Sequence, residues 1–196
     1  MASGNQVATL VDRLVAAPAE LRGAAAHLAN SVAMVIAMSE GEPLAVTASS
    51  VAIASREPPL LTVAFKAGSR MQRALAGDSA VAFTVSILRD DDHVLARRFA
   101  IPGRAAGWQS LAGIRLVQRD AEPPLLVNAA AWFACRVRQV VPLGDHDLVV
   151  GDILGCGRDP AARPLLHHRG RFHALGSPVA PADWALPERG EFVANW

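Results

Sequence analysis

The hydrophobic positions of this chain repeat with two different periods. From Gln6 to Asn30 they follow helical spacing, with Val7, Leu10, Val11, Leu14 and Val15 on one side, and Pro18 stands where it can open a second helix. From Ser31 onward the apolar runs are short, rich in β-branched residues and bounded by turn chemistry, which predicts strands. The run SVAMVIAM predicts a first strand over Ser31 to Met38, and Glu40-Gly41-Glu42-Pro43 turns it into a second over about Leu44 to Ala54. A third covers Pro59 to Phe65, where the leading prolines keep that end out of a central ladder.

Ser69 is an N-cap for a short helix over Arg70 to Ala76, stopped by Gly77. Ala80 to Leu88 predicts a buried strand, and Asp90-Asp91-Asp92 place acids as a cap on a helix ending near Ala100. Ile101 to Ser110, with Pro102, Gly103, Gly107 and Trp108, is a loop of the kind that folds over a site. A short strand at Ile114 to Val117 precedes a long one, Ala129 to Val141, which alternates Cys135 and Val137 on one face with Arg136 and Arg138 on the other. Gly144-Asp145-His146 turns the chain into Leu148 to Leu154, and Arg171 to Leu175 is the last strand.

The order is mostly β with helices outside, and its natural closure is an antiparallel barrel of about six or seven strands preceded by two helices. A length of 196 residues fits one domain, divided here into N-terminal helices (1–30), the barrel (31–176) and a tail (177–196). The tail carries Trp184, Phe192 and Trp196, rings costly to leave in water, so it is expected to dock on this subunit or a neighbour.

Composition narrows the functions. A hydrophobic fraction of 52% with 19% charged residues is globular, and a net charge of +1 without a clustered basic face gives no case for nucleic acid. No apolar run reaches the ~18 residues of a membrane span, so a soluble cytoplasmic protein is expected. The two cysteines, Cys135 and Cys156, lie in separate strands and are expected to stay reduced. No metal is expected: three adjacent carboxylates at 90–92 do not converge on one ion, and His167-His168 lacks a third ligand.

The chemistry concentrates between Pro43 and Met71. Thr47, Ser49 and Ser50 set hydroxyls inside apolar sequence, where an unpaired buried hydroxyl costs about 1–3 kcal/mol. Lys66 arrives together with Gly68-Ser69-Arg70, a cation beside a helix start, which suits a phosphate. A polar, planar, phosphorylated ligand would satisfy both. The plainer readings are hydroxyls paired across a sheet for Thr47 to Ser50, a solvated lysine for Lys66 and an exposed turn histidine for His146.

Thr47-Ala48-Ser49-Ser50, Pro58-Pro59, Ser69 before a short helix, Val85-Ser86-Ile87-Leu88, Leu95-Ala96 through Phe99-Ala100, Cys135, Gly144-Asp145-His146 and Pro164-Leu165-Leu166 together resemble the flavin reductases of the FMN-binding split-barrel family, covering roughly Ser31 to Ala174. The resemblance implies a split β-barrel and an NAD(P)H-dependent reductase that passes a hydride from NADH or NADPH to FMN or FAD and supplies reduced flavin to a separate monooxygenase. It places Thr47, Ala48, Ser49, Ser50, Phe65 and Ser86 with the flavin, and Lys66, Ser69 and Arg70 at its phosphate. Gly144, Asp145 and His146 fall beside the nicotinamide, with His146 the residue put forward for a catalytic role. Hydride transfer needs alignment of two rings more than a side-chain acid or base. The alternatives are a flavin carrier without reductase activity, which has no need of Gly144-Asp145-His146, and a split-barrel oxidase, for which no dedicated acid or base is visible.

Two positions depart from the family's pattern. Ala45 stands where glycine is usual and could crowd a ring, and Ser86 stands where asparagine is usual. A homodimer with flavin near the subunit boundary is expected, because a small barrel filled by its own side chains must hold so large a ring outside. Trp132 and Phe133, on opposite faces of the long strand, supply apolar surface for that partner.

Overall fold

The computed structural model describes residues 18–77, 81–120 and 122–177. Its elements in chain order are α1 (Pro18–Ala25), β1 (Asn30–Ser31), β2 (Ala33–Ser39), β3 (Glu42–Ala48), β4 (Ala52–Arg56), β5 (Pro59–Lys66), α2 (Arg70–Leu75), β6 (Ala82–Ile87), α3 (His93–Ala100), a 3₁₀ turn (Trp108–Leu111), β7 (Leu116–Arg119), β8 (Glu122–Leu126), β9 (Ala131–Leu143), β10 (His146–Arg158), β11 (Leu165–His168) and β12 (Arg171–Ala174). Seven strands form one antiparallel sheet in the order β3-β2-β6-β9-β10-β5-β4. The helix expected before Pro18 and the docking tail lie outside the described residues.

The sheet curls until its ends approach, and one face closes on an apolar interior. Ala33, Val35, Leu44, Leu61, Val63, Phe83, Val85, Cys135 and Val149 fill that interior. Their neighbours on β2 and β3 point the other way, so Met34, Ile36 and Ala45 join Val32, Leu88, Ala96, Phe99 and Leu165 in a second core under α3 and the small sheets. This explains why β2 reads as an unbroken apolar run: both its faces are covered. The three-stranded sheet β1-β11-β12 is sewn to the large one at one point, where Val32 N–H donates to Leu165 O, Leu165 N–H to Leu88 O and Leu88 N–H to Val32 O.

The second expected strand is two. Ser49 to Val51 interrupts it, because β3 and β4 lie at opposite edges of the same sheet and the chain must leave one to reach the other. At the crossing, Ser50 Oγ donates to Ala64 O and accepts from Ala64 N–H, both at 3.0 Å, so a hydroxyl bridges the gap between β3 and β5 where no ladder forms. That gap is the split of the barrel.

Three further differences have local causes. β7 and β8 form a hairpin, and β8 carries Pro123 and Pro124, a pair that reads as a breaker in sequence. Its Pro124 carbonyl accepts from the buried Thr84 hydroxyl at 2.8 Å, and its Leu126 N–H donates to the buried Ser86 hydroxyl at 3.3 Å. The acid run does not cap α3 as expected: Asp92 is the N-cap residue but makes no side-chain bond to the helix, and its carboxylate accepts from Arg89 N–H at 3.0 Å. Burial raises the Asp92 carboxyl above the usual range. Asp90 instead pairs with Arg163 at 2.9 Å. Trp132 and Phe133 do point to opposite faces, but they pack against the second and first cores, so they are not free partner surface.

Cys135 is buried and Cys156 exposed, both unpaired, and burial pushes the Cys135 thiol up to about 12. Cys135 sits beside a tight spot: a Cβ on Gly151 would come within 2.6 Å of the Phe83 ring and 3.4 Å of Cys135 Cβ. Phe83 is fully buried and has nowhere to move. Gly151→Ala is therefore expected to destabilise the fold by about 1–3 kcal/mol, seen as a lower thermal midpoint, whereas Gly41→Ala at an open turn meets no neighbour and is limited to its backbone cost at φ 81°.

Candidate functional site

The split leaves a cleft of about 520 Å³ between the end of β3 and the end of β5. Its β3 wall is Thr47, Ala48, Ser49 and Ser50, and its β5 wall is Ala64, Phe65 and Lys66. Ser69, Arg70 and Met71 enter from the start of α2, and Pro102, Gly103 and Arg104 from the loop after α3. His146 closes the side, held there because β10 pairs with β5 in a register that sets His146 against Lys66. Of the loop expected over 101–110, Pro102, Gly103 and Arg104 line this cleft, and its end from Trp108 winds into the 3₁₀ turn.

The hydroxyls divide by use. Thr47 Oγ1 donates to Ala96 O on α3 at 2.8 Å, and Ser50 holds the seam. Ser49 is half-buried in the cleft, with no hydrogen bond to its hydroxyl among the described residues. Ser69 Oγ accepts from Gln72 N–H at 3.2 Å, the N-cap expected from sequence. Gly68, at φ 71°, gives the turn that swings the chain from β5 into α2, and Arg73 fastens that turn through its bond to Gly68 O.

Sequence reasoning missed Arg104. Its Nε donates to Ala45 O at 2.8 Å and its own carbonyl accepts from Arg70 at 2.5 Å, which pins the loop to β3 and to α2. Burial, and then the nearby Arg70 guanidinium, lower the Arg104 pKa, so positive charge is packed here without a matching carboxylate among the cleft residues. No short motif marks it: an arginine in a Gly-Pro-rich loop has the same sequence signature as any solvated one. Lys66, Arg70 and Arg104 give the cleft three cations.

Ser86 does not join this group. It is 1% exposed within the sheet and its hydroxyl is taken by β8, as described above. The Ala45 methyl faces the second core and not the cleft, so the crowding expected of it does not arise. Gly144 and Asp145 lie in the hairpin turn behind His146, where Gly144 takes φ 64° and Asp145 O accepts from Ala67 N–H at 3.0 Å. Asp145 Oδ1 is 2.9 Å from His146 Nδ1, and that bond first, then the charge of His146, holds the Asp145 carboxyl below its ordinary range. With Nδ1 engaged by Asp145, Nε2 is the ring nitrogen left for another partner.

No cluster of metal-ligating side chains occurs among the described residues, and no helix among them is long and apolar enough to cross a membrane.

The chain belongs to the flavin reductase like domain family, which it matches over residues 25–176. It is 37% identical to the NADH:riboflavin 5'-phosphate oxidoreductase of Streptomyces pristinaespiralis, over 84% of this chain and 92% of that one. It is 30% identical to the reductase component of the 4-nitrophenol 4-monooxygenase/4-nitrocatechol 2-monooxygenase of Rhodococcus opacus, over 90% of each. Among solved structures, the flavin reductase component of a bacterial two-component tryptophan halogenase superposes with a TM-score of 0.74 at 28% identity, covering 83% of this chain and all of that one. The NADH:FAD oxidoreductase of Streptomyces globisporus, in complex with NAD and FAD fragments, gives 0.73 at 26% identity, covering 83% and 94%.

The cations make a discriminating test. Lys66→Ala and Arg104→Ala are each expected to weaken FMN binding by about 1.5–3 kcal/mol, roughly 10- to 150-fold, and to leave riboflavin nearly unchanged in fluorescence titrations. Lys66→Ala is the cleaner of the two, because Arg104→Ala also frees the loop from Ala45 O, just as Ser69→Ala would also remove the α2 cap.

Proposed function

We propose that this protein is an NAD(P)H-dependent flavin reductase that transfers a hydride from NADH or NADPH to FMN or FAD and supplies the reduced flavin to a separate monooxygenase. The observation that carries the reading is the cleft at the split, where strand-end backbone and the Ser49 hydroxyl face three cations across a space of about 520 Å³. That donor set fits a flavin: a planar ring edged with alternating donors and acceptors at one end, and a phosphate needing charge-assisted bonds at the other. Relatives named as NADH- and NADPH-dependent flavin oxidoreductases support the activity, and relatives named as reductase components support a partner oxygenase.

Bound flavin and nicotinamide supply the hydride chemistry. The backbone of Ala48 to Ser50 would orient the ring, while Lys66, Arg70 and Arg104 would hold the phosphate. Phe65 lines the floor. Gly144 and Asp145 shape the hairpin that presents His146, whose Nε2 would contact the nicotinamide of the donor and help align its ring. Ser86 acts indirectly, by tying β8 to the sheet. Two unpaired thiols suit the cytoplasm.

Two tests follow. Under anaerobic conditions the purified protein, given NADH or NADPH with FMN or FAD, is expected to bleach flavin absorbance in at least one pairing; silence in all four overturns the reading. The active form is read as a homodimer. β4 lies at the edge of the large sheet, Ile53 on it is 44% exposed and Leu154 on β10 is 60% exposed, surface that a second copy would cover. Light scattering is expected to give about twice the 20.6 kDa chain mass, through an interface above ~2,000 Å². A single-chain mass with flavin bound overturns the dimer.

A further inference from the structure

A second, smaller pocket of about 180 Å³ shares Thr47, Ala48, Ser49 and Ala100 with the cleft. Shared walls set it directly beside the cleft, at the end of β3. It is closed by Val32 and by two rings from the small sheet, His167 on β11 and Phe172 on β12. Neither ring belongs to the cation cluster or to the turn that presents His146.

The register of the small sheet builds this end wall. His167 lies opposite Asn30 of β1 on one side and opposite Phe172 of β12 on the other. The two rings meet edge to face, with centroids 6.0 Å apart at 64°, within the range favoured by aromatic pairs. Strand alternation sends the next residue the other way: His168 packs against His27 and His173, at 6.3 Å and 5.8 Å. Adjacent histidines therefore face different surroundings, and only His167 lines the pocket.

We propose that His167, backed by Phe172, contacts a terminal ring of the flavin's isoalloxazine system and stops its travel at the end of β3; this rests on the flavin reading above. Size and chemistry carry it. An apolar cavity of about 150 Å³ takes one benzene ring, so a pocket of about 180 Å³ has room for one terminal ring of a fused three-ring system. Val32, Ala48, Ala100 and Phe172 give that ring an apolar seat, while His167 and Ser49 supply the polar groups that fix its orientation. The phosphate is held in the cleft by Lys66, Arg70 and Arg104, so ring and phosphate are located independently.

The test compares riboflavin with FMN, by fluorescence quenching, in the full-length wild-type protein and in His167→Ala and His167→Trp. His167→Ala removes the contact and His167→Trp fills the pocket, keeping aromatic bulk on the strand in case the alanine variant folds poorly; thermal melts check both. Both variants are expected to lose about tenfold in affinity for riboflavin and for FMN alike. The matched loss separates a ring contact from the phosphate set, which acts on FMN alone. Folded variants that bind riboflavin as tightly as wild type overturn the inference while leaving the flavin reading intact. A change confined to the apparent affinity for NADH, with riboflavin binding unaltered, also overturns it. Wild-type protein that binds neither flavin overturns the flavin reading and this inference with it.

Discussion

Everything in this molecule turns on a ladder that is not completed. Six pairings carry the large sheet from β3 round to β4, and between β3 and the end of β5 that β4 leaves uncovered no ladder forms; one serine hydroxyl spans it instead. A backbone ladder there would consume the N–H and C=O groups at the end of β3 and leave no room for a ligand. A hydroxyl that both donates to and accepts from Ala64 satisfies the β5 backbone at one residue only, so the two strand ends stay apart while that residue's N–H and C=O remain paired. The binding cleft is the space that results.

Holding a seam open requires stiff edges, and the two cores supply them. The interior fixes β3 and β5 from below through Leu44, Ala48, Val63 and Phe65. The outer core fixes β3 from above through Ala45, and Thr47 adds its bond to the carbonyl of Ala96. Arg104 then uses a carbonyl of the same strand, that of Ala45, as its anchor. The position of the cleft cations thus depends on the packing of β3, although Arg104 lies 59 residues further along the chain. Moving that strand would move both ends of the site together.

The distribution of charge follows from the same geometry. Arg70 and Arg104 are kept close by backbone bonds, and no carboxylate among the cleft residues offsets their repulsion. On the opposite side Asp145 satisfies His146 and faces solvent, which leaves the histidine's other nitrogen for the cleft. A site arranged like this orients and holds; the chemistry belongs to the molecules it brings together.

Much of the candidate site was legible in the amino-acid sequence because the residues that line the cleft are carried by short contiguous stretches. Thr47 to Ser50, Lys66 to Arg70 and Gly144 to His146 each combine hydroxyl, cation or turn residues in places where apolar strands would otherwise continue, and local chemistry is enough to single them out. The continuous apolar run of β2 likewise announced a strand covered on both faces. What only the tertiary structure decided are the relations between distant segments. Ser86, whose hydroxyl looked available, is consumed by the backbone of Leu126 across 40 residues. The Pro123-Pro124 pair, a breaker by composition, becomes a strand because its carbonyls and neighbouring amides meet Thr84 and Ser86. Arg104 and His167 have no local signature, since an arginine in a loop and a histidine in a strand gain meaning only from what packs opposite them. Sequence records which groups each segment offers, and long-range packing determines which of those groups are already satisfied and which remain for a ligand.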